Sequence, residues 1–380
     1  MSKQAKKQLQ EIVIIRAIAI LAVLMVHSTS VTIIELVPDS NAFVFFNAIN
    51  TFFRFGTPTF ILLSSLVLFY SYYHKPLSRQ LIHKFYSNRL LYILLPYLIF
   101  SFIYNGIRTE YFQTYESFQE FISTFTEELL LGNAYTHLYF VFISIQFFLL
   151  FPLLLVVLKK WPALTKHLIW IGFVIQWTFV FYNCFVWQYP DTGSISLSYM
   201  SYYLTGAFIG IYYADIKAWI KTRQWLVAGL FVAWLAAVIG HISIWHSTRV
   251  LGNAFHSLLY TFMWNAHTIL TALLLIYLSV VIVKKAPAWI TGSLMKLGYL
   301  SFGIYLIHPL YLFYFREYVD PGGNMTLYYL FIAGSFFGAL LISGLIVYLI
   351  LYKFKWGWVF FGARPRINKR EINKNNAPAP

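Results

Sequence analysis

Charge and cysteine are what this chain has least of. Only 11% of its 380 residues are charged, about half the share usual in a soluble domain. With 59% of residues hydrophobic and 21% aromatic, too little polar surface remains to cover a water-soluble core, and that class is excluded. The single cysteine, Cys184, rules out an intrachain disulfide, and its apolar setting suits a small packing residue. Metal-ligand spacings, a glycine-rich phosphate loop and a nucleophile elbow are also missing, so no prosthetic group or metal is implied. No repeat recurs at solenoid or propeller periods.

What the sequence does have is long apolar runs. Ten can be read as spans, at Ile12–Ile34, Phe43–Tyr73, Leu90–Ile107, Ala134–Leu158, Leu168–Val186, Tyr199–Ala214, Trp225–Trp245, Phe255–Val283, Leu297–Phe315 and Met325–Tyr352. Most supply the ~20 apolar residues that cross a hydrocarbon core. The fold class expected is therefore all-α: a polytopic integral membrane protein of about ten transmembrane helices, multi-pass in the cell membrane. The sixth run is short and holds Gly206 and Gly210.

Basic residues orient these spans. With the N-terminus placed in the cytoplasm, Lys and Arg crowd the inner connections, whereas the outer ones hold only Arg108, Arg249 and Arg316. Both termini are then cytoplasmic. The net charge of +15 thus follows membrane topology and implies no nucleic-acid partner. Lys3, Lys6 and Lys7 precede a first run too long for a signal peptide, which is read as a retained span. Residues 1–363 are expected to form one transmembrane domain, and 364–380 a basic, Pro/Asn-rich, disordered cytoplasmic tail. The outer loop Arg108–Asn133 alternates glutamates with Phe118, Phe121 and Phe125, the pattern of an amphipathic helix lying at the surface. Abundant Tyr and Trp, Trp356 and Trp358 among them, fit anchoring at the membrane interface.

Ionisable residues inside spans carry the chemistry. Only Arg16 and Arg54 put a fixed charge there, and each costs at least ~2.5–3.5 kcal/mol near a helix centre unless solvated or paired. Arg16 is about one turn inside the inner edge and can snorkel. Arg54 lies too deep for that and calls for a polar or anionic partner. Arg16 and His27, eleven residues apart, project from one helix face about 16 Å apart along the axis. Imidazole suits proton transfer near neutral pH, so His27 is either a general base facing a wet cavity or a packing residue.

These segments resemble a known family. Arg16 with His27 is similar to the Arg-(ten residues)-His signature in the first span of the membrane-bound O-acyltransferases of acyltransferase family 3. Arg54-Phe-Gly-Thr-Pro58 through Ser64 resembles the second-span motif, and Asn88-Arg89 through Pro96-Tyr97 the start of the third. His137-Leu-Tyr-Phe140 resembles the start of the fourth, and Ser301-Phe-Gly-Ile-Tyr305-Leu-Ile-His308-Pro309 the ninth. Within the family the likeness is to members from poly-N-acetylglucosamine biofilm operons, carried by Phe55–Ser64, Arg89–Tyr97 and Leu130-Leu-Gly-Asn133.

The resemblance implies acyl transfer from cytoplasmic acyl-CoA (succinyl-CoA or acetyl-CoA) to hydroxyls of an extracellular polysaccharide, by O-succinylation or O-acetylation. It implies catalytic roles for His27 and Arg16 and substrate contacts from Arg54, His137, His308 and Ser64. Arg16, Arg79, Lys84 and Arg89 are expected to meet the coenzyme A phosphates. Many members pair arginines at the mouth of the third span, whereas here Lys84 and Arg89 stand five apart. The remaining histidines are read as structural. Partners expected are the lipid bilayer, the exopolysaccharide and a polysaccharide synthase. Two other classes stay open: an exporter or transporter with Arg16, Arg54 and His27 lining a path, and a lipid-linked glycosyltransferase using Glu35 or Asp39.

Overall fold

The computed structural model describes residues 9–111 and 115–364. Among these every regular element is helical. Helix α1 (Gln10–Thr29) has 13 of its 20 residues buried, leaves none fully exposed, and packs against the helices at Asn41–Phe52, Gly56–Tyr72, Ser257–Lys285, Ala288–Tyr318 and Met325–Lys353. After a short α2 (Thr32–Glu35), the second crossing is made by α3 (Asn41–Phe52) and α4 (Gly56–Tyr72), joined by one 3-10 turn at Phe53–Phe55. Ser78 caps α5 (Arg79–Arg89) by accepting from the Leu81 amide. A π-helical turn, Leu90–Leu94, leads into α6 (Leu95–Tyr111).

The connection Arg108–Asn133 forms the expected helix, α7 (Phe118–Leu131), N-capped by Ser117 and ended by Gly132 at φ 77°. Phe118, Phe121 and Phe125 stack along one face, and Phe125 meets the exposed Phe102 of α6. Glu128 ties α7 to α6 through Arg108 at 2.6 Å and Asn105 at 3.3 Å.

The rest of the bundle comprises α8 (Tyr139–Lys160), α9 (Leu168–Tyr182), α10 (Met200–Ile211), α11 (Tyr213–Thr222), α12 (Gln224–Val250), α13 (Ser257–Lys285), α14 (Ala288–Tyr318), α15 (Met325–Lys353) and α16 (Gly357–Phe361). Nine helical stretches among the described residues are long and apolar enough to cross a membrane. They correspond to all of the ten runs except the sixth. The sixth run is not a long helix: α10 has 12 residues, about 18 Å of helix, well short of a ~30 Å core.

What precedes α10 is irregular backbone, with 3-10 turns at Thr192–Ser194 and Ser196–Tyr199. Non-helical backbone at membrane depth survives only where protein satisfies its polar groups. Two glutamines do so here. Gln146 donates to the Ser194 carbonyl (2.7 Å) and accepts from the Ser196 amide (2.9 Å), while Gln176 accepts from the Ser201 amide (3.0 Å) and hydroxyl (2.5 Å).

Glycine then lets α10 lie directly on α4. A Cβ on Gly206 would overlap the Leu62 carbonyl oxygen, and one on Gly210 that of Leu66. Since both numbers rise together, α10 runs parallel to α4, and the Ile211 carbonyl reaches His74 just past the end of α4. The chain therefore does return to the face where α4 ends. Glu11 at the start of α1 pairs with Lys217 of α11 on that same face. Gly298 packs on Val13 while His308 meets His27, so α14 runs parallel to α1. Helix α15 comes back antiparallel to α14, with Phe315 against Gly334 and Gly303 against Val347. The expected tail beyond residue 364 lies outside the described residues.

Candidate active site

The site forms where α1, α6, α14 and the segment before α8 converge. The His27 ring, partly accessible, stands edge-on to that of His308 with centroids 5.0 Å apart. His308 in turn meets His137 at 5.6 Å. His137 and His308 are completely buried. The three histidines singled out from the sequence are thus neighbours, although 110 positions separate His27 from His137 and 171 separate His137 from His308, distances that only folding could bridge.

Backbone carbonyls fix which nitrogens of the buried pair are protonated. A carbonyl can only accept, so a ring nitrogen that contacts one must carry the hydrogen. His308 Nδ1 lies 3.1 Å from the Ile304 carbonyl, and His137 Nε2 lies 3.3 Å from that of Leu306. His308 Nε2 and His137 Nδ1 are therefore bare lone pairs, and both are buried without a hydrogen-bond partner among the described residues. Uncapped buried acceptors are costly. A site that keeps two of them beside a third imidazole is built to receive donors, either a hydroxyl or a proton.

The surroundings hold this arrangement in place. Pro309 lies inside α14 and has no N–H to give the Tyr305 carbonyl, which loosens the helix there. Tyr104 donates to the Leu306 carbonyl at 2.8 Å, alongside His137. Tyr305 donates to the His137 carbonyl at 2.5 Å. Tyr104 also stacks on Tyr135 at 4.4 Å and meets the His137 ring edge-on. Arg316 donates to the His27 carbonyl at 2.5 Å, fixing the last turn of α1. Among the described residues no group of three His, Cys, Asp or Glu side chains could hold a metal ion.

A second polar centre involves Arg54. On α3, Asn47 and Asn50 line up with Arg54 at helical spacing and look toward α1 and α12. Asn50 donates to the Val26 carbonyl and the Thr29 hydroxyl, both at 3.0 Å, and accepts from Arg54 at 3.3 Å. Asn47 accepts from Arg249 at 2.6 Å. Both guanidiniums lie over Trp245, with centroid distances of 4.7 Å for Arg54 and 4.2 Å for Arg249. The Trp245 N–H donates to His241 Nε2 at 3.2 Å, and His241 Nδ1 meets His267 Nδ1 at 3.0 Å.

The other expected site residues are not gathered here. Ser64 is partly buried on α4 with no hydrogen bond to the histidines. Arg79 and Lys84 are exposed on α5, and Arg89 is half-buried over Phe85 and Phe148. No hydrogen bond or ion pair among the described residues joins these three to Arg16. The sequence reading gave Tyr104, Tyr305, Arg316 and Arg249 no role. Tyr305 stands within a quoted motif, but its bond to the His137 carbonyl is tertiary. Hydropathy alone puts Arg316 and Arg249 in connections, yet both lie within long helices and turn inward.

A helical bundle with a buried polar centre in its core defines a multi-pass membrane protein with the makings of a membrane-embedded enzyme. The model of the family described as an acyltransferase domain, acyltransferase family 3, matches residues 9–348, and the chain belongs to that family. A relative in Staphylococcus aureus (strain MRSA252), named "Probable poly-beta-1,6-N-acetyl-D-glucosamine export protein", is 24% identical over 348 residues, covering 89% of this chain and 92% of its own. The protein of strain MSSA476 with the same name is 23% identical over the same share. The membrane-bound acyltransferase YfiQ of Bacillus subtilis (strain 168), so named provisionally, is 25% identical over 244 residues, 61% of this chain and 64% of its own. No solved structure matches.

Proposed function

We propose that this membrane acyltransferase moves an acyl group, succinyl or acetyl, from cytoplasmic acyl-CoA to hydroxyls of an extracellular polysaccharide, with poly-N-acetylglucosamine as the acceptor. The observation that carries this reading is the contact of His27 with His308, which in turn meets His137, two buried imidazoles whose bare nitrogens face no donor.

In the reaction an imidazole nitrogen takes the acceptor's hydroxyl proton as its oxygen attacks the thioester carbonyl. The new C–O bond forms, the C–S bond breaks, and the departing thiolate takes the proton back from the imidazolium. His27, partly accessible, is the group that meets the hydroxyl, and His308 behind it can share the proton. An acyl-imidazole on His27, resolved by the acceptor in a second step, satisfies the same balance. The coenzyme A phosphates suit the basic face, where Arg79 and Lys84 are exposed and Arg16 stands about 16 Å below His27. The charge rule makes that face cytoplasmic. A polysaccharide synthase delivering the polymer beside the bundle is the natural partner.

The name of the staphylococcal relatives favours one second reading, export of the polymer without acyl transfer. Mass spectrometry of cell-surface polysaccharide with and without the gene separates the two. Loss of ester-linked acyl groups from a polymer still exported supports the transferase. Loss of surface polymer with its acylation unchanged would overturn it.

A further inference from the structure

Two cations, Arg54 and Arg249, have no anion beside them among the described residues. Arg54 and Arg249 lie over the same indole, so they can be no further apart than their two distances to the Trp245 ring together allow. Like charges that close, partly withdrawn from water, repel each other and need compensation. The ion pairs among the described residues are Arg108–Glu128 and Lys217–Glu11, and neither involves this pair. The adjacent imidazoles supply no negative charge. His241 accepts from Trp245 at Nε2 and so donates from Nδ1 to His267, which leaves both rings neutral.

The donors are available as well. A guanidinium has five N–H groups, and each arginine has one side-chain hydrogen bond, to the neutral amide of Asn50 or Asn47. Their other nitrogens, unlike the Nε atoms of Arg89 and Arg316, are not sealed among packed atoms without a partner. Open, forked donors at a doubly positive site match the oxygens of a carboxylate or phosphate.

We propose that Arg54 and Arg249, spaced by Trp245, form an oxyanion-binding site for a carboxylate or phosphate group carried by one of the two substrates of the transfer. The location argues for a substrate. Asn50, which holds Arg54, also bonds the Val26 carbonyl and the Thr29 hydroxyl on either side of His27. An anion bound here is one amide away from the turn of α1 that carries His27. The existence of the site stands on its own geometry; only the identity of the molecule carrying the anion rests on the function proposed above.

Anion binding is read from Trp245 fluorescence in purified protein, as the difference between wild type and Trp245→Phe, on titration with inorganic phosphate and with glutarate. A saturable change is expected with at least one of them, its dissociation constant rising roughly tenfold in Arg249→Gln, as for loss of one charged contact. Arg249→Lys should retain part of the affinity. Should Arg54→Gln fail to fold, Arg249→Gln, at the C-terminal end of α12, carries the test. No saturable signal with either anion, or equal affinity in wild type and Arg249→Gln, overturns the site.

Turnover then identifies the carrier. If the acyl group bears the anion, Arg249→Gln lowers the preference for a thioester ending in carboxylate over one ending in methyl. If the acceptor bears it, that preference is unchanged and KM for an anionic acceptor rises. No change in either quantity overturns the assignment to a substrate. Absence of any acyl transfer by wild type would refute the reaction while leaving the titration standing.

Discussion

Arg316 on α14 donates to the backbone carbonyl of His27 on α1, at 2.5 Å. Helix termini leave carbonyls without an intrahelical partner, and here a cation from a parallel helix and the Ser30 hydroxyl, at 2.9 Å, share one of them. The reacting imidazole is thereby held by its own main chain. Charged hydrogen bonds of this kind contribute about 1.5–3 kcal/mol. Arg316→Ala should lower kcat roughly tenfold or more, with Arg316→Lys recovering part of it, in a reconstituted assay. Unchanged kcat in the alanine variant would detach Arg316 from His27 function.

Replacing His27 by Ala should abolish transfer while the protein still inserts, since packing around α1 holds the helix. His308→Ala should cost a factor on the order of 10²–10⁴ in kcat, the usual worth of proton handling by a positioned group, with KM for acyl-CoA nearly unchanged. Turnover equal to wild type in either variant, measured on purified protein, would remove that histidine from the reaction.

Donor binding and chemistry should separate along α1. Arg16→Gln should weaken acyl-CoA binding by roughly tenfold to a hundredfold, and His27→Gln should leave binding intact while stopping turnover. Calorimetry with a coenzyme A thioester decides this, and equal affinity of wild type and Arg16→Gln would take Arg16 out of the donor site.

Orientation follows from labelling. In a Cys184→Ser background, cysteines at Ser78 and Ala163, both exposed on the face where α4 ends, should be shielded from an impermeant thiol reagent in intact cells. One at Ser117, exposed at the start of α7, should react. The reverse pattern would invert the topology.

The contact of α10 with α4 should be intolerant of volume. Gly206→Val inserts a side chain where the Leu62 carbonyl oxygen already sits, and overpacking costs about 1–3 kcal/mol, more when backbone must move. A lowered Tm is expected, whereas Gly292→Val, in open space, should leave it unchanged. Equal Tm values for the two variants would refute the tight contact.

Hydropathy revealed nearly all of the helical architecture, because a long apolar helix announces itself locally. The surface helix α7 was equally legible in its phenylalanine spacing. The sixth run stood out as short and glycine-bearing, but its irregular start did not show, because the groups that permit it, Gln146 and Gln176, are isolated polar residues in other helices. At the site, His27 stood out as a protonatable group inside a span, while His137 and His308 were marked by the likeness to the family's fourth- and ninth-span motifs. Their tautomers depend on the carbonyls of Ile304 and Leu306, which no pattern of side chains records. The pairing of Arg54 with Arg249 was hidden for a related reason: hydropathy ends a span before Arg249, but the helix continues and turns that residue inward.

The glutamine braces also constrain how the protein is made. The backbone at Ser194, Ser196 and Ser201 finds its partners on α8 and α9, so this stretch would be left with naked amides and carbonyls if it entered lipid alone. It can leave the insertion machinery only into a groove that α8 and α9 have already formed. Asn265 of α13, which accepts from Gln176 and from Tyr202, is translated later and completes that groove from the other side. Biogenesis is therefore ordered by two amides: a defect at Gln146 or Gln176 would strand the sixth crossing during synthesis, and would be met by membrane quality control before catalysis was ever tested.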